Sequence, residues 1–120
     1  MSYITTYRDL LAWQEAMNLC EHVYELTNRF PDRELYGLTS QLRRASVSIP
    51  SNIAEGHGRR GSKELSHHLS IAKGSLCELE TQILLSVRLH FLSKDDGDRF
   101  WIKAQDVGRL LNAFIRSLHS

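Results

Sequence analysis

The 120-residue chain has only two prolines, two cysteines and seven glycines, and almost no excess of charge of either sign. The scarcity of proline and glycine excludes collagen-like and low-complexity chains. No apolar run reaches the roughly 18–20 residues that cross a bilayer. Apolar residues nevertheless make up 42% of the chain, which is enough to form a core and excludes a disordered chain. The length predicts a single domain over residues 1–120.

The charges nearly cancel, because 15 Lys and Arg stand against 14 Asp and Glu, for a net charge of +1. A protein that coats polyanions would show a large basic excess, so the total argues against that class. The segment from Met1 to Thr6 has no apolar stretch of the secretory type, and we therefore expect a cytoplasmic protein. In the cytoplasm, Cys20 and Cys77 are expected to be free thiols, buried among apolar neighbours in their helices.

Four stretches carry apolar residues at alternating spacings of three and four, which predicts four helices at about 9–29, 34–55, 62–92 and 94–118. In the first helix, we take Asp9 as the N-cap. The residues predicted to face the core in this helix are Leu10, Trp13, Met17, Cys20, Tyr24 and Thr27. A second set lies off this stripe, namely Leu11, Leu19, Val23 and Leu26.

The other three helices show equally regular stripes. The stripes are Leu35, Leu38, Leu42, Ala45, Ile49 and Ile53; Leu65, Leu69, Ala72, Leu76, Leu79, Ile83, Ser86 and His90; and Phe100, Ala104, Val107, Leu111, Phe114 and Leu118. Because the second stripe keeps its phase across Pro50, we predict one kinked helix there, ending at Gly56. Ser62 and Ser93 are the predicted N-caps of the third and fourth helices, the latter with Asp96 in a capping box.

No segment shows the period-two alternation of a strand. The sequence therefore predicts an all-α fold, an antiparallel up-down-up-down four-helix bundle with a proline-kinked second helix. Several apolar residues of the last two helices lie off their stripes. These residues are Ile71, Leu84, Leu85, Val87, Leu89, Trp101, Ile102, Leu110 and Ile115. Those of the third helix widen its apolar arc, so we expect this helix to be buried on more than one side. The rest of the surplus, together with the second set of the first helix, either widens the buried face or forms an interface, most simply with a second copy.

The run from Gly56 to Gly61 matches the GxGxxG pattern of dinucleotide-binding turns. That fingerprint requires a preceding strand, and here a helix precedes it. Two interpretations remain: a solvated turn, or an anion site in which Arg59, Arg60 and Lys63 assist the free N–H groups of the third helix.

The neutral total hides a polarised chain. Residues 43–68 contain five Lys and Arg against two acids, whereas residues 1–34 contain three against six. The basic set is Arg43, Arg44, Arg59, Arg60 and Lys63. Such a set is typical of a nucleic-acid contact, and equally of a solubilising face or of salt bridges between subunits.

The sequence offers little support for a metal site or a catalytic site. Glu64 and His68 are four residues apart and His67 adjoins them, so one helical face could offer two metal ligands, but no third ligand is near, and we expect exposed histidines. Neither cysteine has a flanking histidine, and Glu78 and Glu80 point to different sides of their helix. We therefore predict no catalytic site, no metal and no cofactor.

The run from Arg43 to Gly56 (RRASVSIPSNIAEG) resembles the signature of the four-helix bundle family associated with 23S rRNA intervening sequences. The resemblance extends from Tyr7 to Leu118. Further matches are Trp13, Ala16, Val23, Tyr24, Thr27, Phe30, Pro31, Tyr36, Gly37, Leu38, Gln41, Gly74, Ser75, Leu76 and residues 78–82. The chain departs from the family at Leu65 and His68, where aromatic residues are usual.

The resemblance implies an antiparallel bundle that assembles into a ring, commonly a homopentamer, with no family catalytic site. A distant branch comprises accessory proteins of diversity-generating retroelements. We therefore expect a non-enzymatic, homo-oligomeric protein that binds RNA or another nucleic acid through the basic set, with no membrane or small-molecule partner. The alternative is a protein-interaction scaffold, in which Arg43 and Arg44 are buried at a subunit contact beside carboxylates.

Overall fold

The computed structural model describes residues 5–119, and in that range it contains helices and turns but no strand. The helices are α1 (Leu11–Thr27), α2 (Leu38–Gly58), α3 (Ser62–Arg88) and α4 (Lys94–Ser117). Short 3-10 turns, Tyr7–Asp9 and Asp32–Glu34, precede α1 and α2. The all-α, four-helix prediction is confirmed. Residues 1–4, most of the segment inspected for a secretory signal, lie outside the described residues.

Each helix packs against its neighbours in the chain, and α4 closes the arrangement by packing against α1. Between α2 and α3, Ser48 meets Ser75 and Asn52 meets His68, so residue numbers rise along one helix as they fall along the other. Pro50 lies within α2 and does not divide it. The prediction of one helix across the proline is therefore confirmed, and the kink stays a prediction. No helix in residues 5–119 is long and apolar enough to cross a membrane.

The core consists of one buried stripe from each helix. In α2, α3 and α4 the predicted stripes are largely correct, although Leu35 is exposed and Phe114 and Leu118 are half-buried. The largest fully buried side chains come from all four helices: Phe100, Leu19, Leu42, Ile49, Ile53, Leu69, Leu79, Ile83 and Leu111.

The stripe predicted for α1 is wrong between its ends, although Leu10 and Thr27 are buried as predicted. The buried residues are Ala12, Ala16, Leu19, Val23, Leu26 and Thr27, whereas Met17 and Tyr24 are exposed. Both sets follow the same spacing but lie about a quarter of a turn apart. The large side chains of Trp13 and Met17 suggested the wrong phase, because the core position is occupied by small alanines.

Several helix ends also differ from the predicted ones. α1 begins at Leu11, because Asp9 belongs to the preceding turn, where it forms a capping box with Thr6. α2 begins at Leu38, whose N–H donates to the carboxylate of Glu34, 3.1 Å away in the 3-10 turn. At its other end, α2 continues past Gly56 to Gly58.

The predicted N-cap and the predicted last residue of α3 are wrong, whereas the predicted N-cap of α4 is correct. Gly61, and not Ser62, is the N-cap of α3. α3 ends at Arg88, since His90 adopts a left-handed φ of 64° that cannot continue a helix, and this histidine is exposed. The capping box of Ser93 and Asp96 at α4 is confirmed.

Gly56 fixes how closely α2 approaches α3. A Cβ at this position would lie 2.7 Å from the Cβ of His68 and 3.1 Å from Cδ1 of Leu65. His68 is buried by this contact, and its Nδ1 lies 3.1 Å from Oδ1 of Asn52. The expectation of an exposed His68 is therefore wrong, because the glycine opposite it brings the two helices together. Only His67 of this pair is exposed.

Most off-stripe residues of α3 do not widen the buried face of this chain. The exception is Val87, which packs against the core, as do Leu110 and Ile115 of α4. Ile71, Leu84, Leu85 and Leu89 are all exposed, as are Trp101 and Ile102 of α4. Both cysteines are free thiols, as predicted, but their predicted burial is wrong, since Cys77 is exposed and Cys20 is only half-buried. Both cysteines lie beside the buried stripes and not within them.

His22 is an unsatisfied polar group at the contact of α1 with α4. Its Nε2 is buried without a hydrogen-bond partner in the described residues, and its ring stacks on Phe100 at 6.4 Å between centroids. Burial lowers the pKa of His22, and the positive charge of Lys103 lowers it further. The fold therefore favours the neutral imidazole.

Two glycine substitutions should have opposite effects on stability. Gly56→Ala places a methyl group against His68, and we expect a loss of about 1–3 kcal/mol in the free energy of unfolding. Gly74→Ala meets nothing within 4 Å on the exposed side of α3, so helix propensity should add about 0.5–1 kcal/mol. Urea unfolding measures both. A Gly56→Ala variant as stable as the wild type would contradict the proposed close contact.

Acidification should destabilise the protein through His22. Because the folded-state pKa lies below the usual value of 6.5, the unfolded chain binds the proton first, and stability falls as the pH drops through 6.5 toward the lowered pKa. We expect His22→Gln to lose less stability than the wild type between pH 7.5 and 5.5, and exposed His67→Gln to behave like the wild type. Glu80, whose pKa is raised by burial, also contributes to the pH dependence of stability. Because Glu80 is present in all three proteins, the difference between them reports the contribution of His22. Equal pH dependence in all three proteins would rule out the role of His22.

Candidate nucleic-acid interface

The five predicted basic residues form two groups in the structure. Arg43 and Arg44, the first basic group, lie in the N-terminal half of α2. Arg59, Arg60 and Lys63, the second basic group, lie in the connection after α2 and in the first turn of α3. At 1.5 Å per residue, the length of α2 between them is about 20 Å. A ligand that contacts both groups must therefore extend along α2.

Arg43 is held in place by α1. Its Nε donates to Oγ1 of Thr27 at 2.9 Å, and its Nη2 donates to Oδ1 of Asn28 at 3.1 Å. The guanidinium carbon also lies 4.7 Å from the centre of the Tyr24 ring, a cation–π distance. All three partners are neutral, so the side chain is fixed in position while its positive charge remains uncompensated.

Arg44 follows on the exposed face of α2 and lies between two grooves. The larger, which we call the tyrosine groove, has a volume of about 600 Å³. Its walls contain two tyrosines, two arginines, two aliphatic residues and three hydroxyl residues: Tyr24, Tyr36, Arg43, Arg44, Leu35, Val47, Thr39, Ser40 and Ser48. No carboxylate lines it. The smaller groove places Arg44 near Glu78 of α3.

Tyr36 is the residue that the sequence analysis missed as a site residue. It lies between the Asp32–Glu34 turn and α2, and 93% of its surface is exposed. The sequence feature that could have identified Tyr36 is an aromatic residue in a turn shortly before the basic pair Arg43 and Arg44. Because Tyr36 lies in a loop, it belongs to no helical stripe.

The second basic group is only partly free. Nη2 of Arg59 donates to Oε1 of Glu55 at 2.8 Å, and this hydrogen bond lowers the pKa of the Glu55 carboxyl. Arg60 and Lys63 are exposed and have no ion-pair partner in residues 5–119. The adjoining Gly61 has a φ of 95°, a conformation that favours glycine.

The GxGxxG run serves the helix connection. Gly56 packs α2 on α3, Gly58 is the last residue of α2, and Gly61 caps α3. The element before the run is a helix, so the structure lacks the strand that a dinucleotide site requires. Whether the exposed N-terminus of α3 takes an anion remains a prediction.

Within residues 5–119, no three His, Cys, Asp or Glu side chains come together as metal ligands. His68 is engaged with Asn52, and the Sγ of Cys20 lies 3.4 Å from Oγ of Ser46. Glu80, whose pKa is raised by burial, accepts a hydrogen bond from Gln105 at 3.3 Å. These polar contacts pair the side chains with one another.

Residues 8–113 match the 23S rRNA-intervening sequence protein family along most of the chain. The chain belongs to this family. No curated protein matches it. Among solved structures, the chain is similar to a protein of unknown function from the S23 ribosomal protein family of Bacteroides thetaiotaomicron, with a TM-score of 0.81 and 17% identity. That match covers 88% of this chain and 98% of the other, and at this identity it shows the shared fold.

The solved structure thus shares the fold of this chain. Neither match names a catalytic activity. The family name refers to the intervening sequences of 23S rRNA. The relation to accessory proteins of retroelements remains a prediction.

Removing the side chain of Arg43 should destabilise the protein more than removing the side chain of Arg44. Arg43→Ala loses two hydrogen bonds and the contact with Tyr24, so we expect a loss of about 1–2 kcal/mol in the free energy of unfolding. Arg44→Ala, on the exposed face of the same turn, should change it by no more than about 0.5 kcal/mol. Thermal or urea unfolding compares the two variants, and equal losses would contradict the anchoring role of Arg43.

Proposed function

We propose that this protein is a non-enzymatic, homo-oligomeric helical bundle that binds RNA through Arg43, Arg44, Arg59, Arg60 and Lys63. The observation that carries the proposal is the uncompensated charge of four of these residues, since Arg59 already pairs with Glu55. Arg44, Arg60 and Lys63 are exposed without a carboxylate partner in the described part of the chain, and Arg43 has only neutral partners. Backbone phosphates supply the missing negative charge.

Oligomerisation gives the weakly charged chain a stronger field. One copy has a net charge of only +1, so long-range attraction to a polyanion is weak. A closed ring repeats both basic groups around its axis, which multiplies the local field without changing the chain. We propose a homopentamer in the cytoplasm, where the RNA ligand is present.

The second candidate function is a scaffold that binds another protein. The observation that favours it is the exposed apolar surface of the second half of the chain: Leu84, Leu85, Leu89, Trp101 and Ile102. In this second candidate function these side chains form one apolar patch, which is a feature of interfaces. In the scaffold, the arginines pair with carboxylates of the neighbouring subunit.

A salt titration with a structured RNA hairpin distinguishes the two functions. We expect affinity to fall steeply between about 50 and 200 mM salt. The double variant Arg60→Gln, Lys63→Gln removes two unpaired cations, so the slope of log K against log salt should become shallower by about two.

The matched control removes the same amount of charge elsewhere. Lys94→Gln with Arg109→Gln eliminates two cations that already pair with Asp98 and Asp106. This control should retain the wild-type slope. Salt-independent binding, or an equal effect of both double variants, would refute the RNA function.

The oligomer is tested separately by light scattering at several concentrations. A ring gives a mass that is a constant multiple of the 13.8 kDa chain. A species of 13.8 kDa at every concentration would remove both the oligomer and the amplified field.

A further inference from the structure

The tyrosine groove combines chemical groups that suit a nucleotide. Aromatic rings provide stacking surfaces and guanidinium groups bind phosphate. Among the hydroxyl residues of the groove, Thr39 is buried and Ser48 is hydrogen-bonded to Ser75, so Ser40 is the one we expect to reach the polar edge of a base. Arg43 and Arg44 bring two positive charges to this groove, and no carboxylate among its lining residues neutralises them. The charge complementarity therefore favours an anionic occupant with a flat aromatic part.

The two tyrosines of the groove differ in their freedom. Tyr24 is covered on one side by Arg43, which is itself anchored to Thr27 and Asn28. This wall is therefore fixed before any ligand arrives. Tyr36 stands at the rim and is 93% exposed, so its ring is accessible to a partner.

The size of the groove favours unpaired RNA over paired RNA. Its volume of about 600 Å³ is that of a small-ligand pocket. A duplex keeps its bases stacked inside and presents only phosphates and groove edges, whereas bases of unpaired segments can be splayed out and stacked on aromatic side chains. A duplex therefore offers no exposed base face that could stack in an aromatic groove of this size.

The surroundings of Arg44 restrict the path of the strand. On its other side, Arg44 shares the smaller groove with Glu78, whose negative charge repels phosphate on the α3 side. The favourable path for an anionic backbone is therefore past Arg44 toward Tyr36, away from α3.

We propose that the tyrosine groove binds an unpaired segment of RNA, with a base stacked on Tyr36 and a neighbouring phosphate on Arg44. This inference rests on the proposed RNA-binding function and names the form of RNA that it takes. The second basic group then adds phosphate contacts that do not distinguish paired from unpaired RNA.

The test compares an unstructured oligouridine of about twelve nucleotides with a blunt RNA duplex of the same length. We expect the wild type to prefer the single strand. Tyr36→Ala should weaken single-strand binding by about fivefold to a hundredfold and leave duplex binding and the salt slope unchanged. Tyr36→Phe, which keeps the ring, should bind like the wild type.

The alternative outcomes separate this inference from the proposed function. If single strand and duplex bind equally and Tyr36→Ala has no effect, the groove has no role in RNA binding while the proposed function stands. If neither RNA binds, the proposed function fails as well. If Tyr36→Ala lowers the oligomer mass in light scattering, the groove is occupied by a second copy of the chain, which also overturns the inference.

Discussion

The close packing of α2 on α3 is the constraint on which the rest of the structure depends. Gly56 has no room for a Cβ against His68, and further along the contact the hydroxyl groups of Ser48 and Ser75 lie 2.8 Å apart. Small residues at this contact allow the two helices to approach closely, and a buried Asn52–His68 pair satisfies the polar groups that the approach encloses. Since α2 carries the first basic group and leads into the second, its position determines where both lie.

Arg43 shows how the fold keeps a charge available for a ligand. A carboxylate partner would fix the side chain but cancel its field, as Glu55 does for Arg59. Thr27, Asn28 and the Tyr24 ring instead fix Arg43 through neutral contacts. The cost of holding the side chain in one conformation is met by folding, so a phosphate that binds there need not order it again.

The sequence predicted those parts of the fold that depend on large apolar residues at regular spacing. This held for α2, α3 and α4, and it failed for α1, where Ala12 and Ala16 face the core and the larger Met17 does not. Burial of His68 could not be predicted either, because it depends on a glycine 12 residues away in another helix. For the candidate site, charge counting located the five cations, but Tyr36 escaped notice because a loop residue has no periodicity, and only the fold brings it beside Arg44.

The near-zero net charge finally constrains how such a protein can bind RNA. With 15 cations against 14 anions, the whole chain attracts a polyanion only weakly, so affinity must come from local contacts. Phosphate contacts alone are sensitive to salt, whereas base stacking is not an ion-exchange process and persists as salt rises. A bundle of this composition would therefore gain from an aromatic surface beside its uncompensated arginines, and the tyrosine groove combines the two.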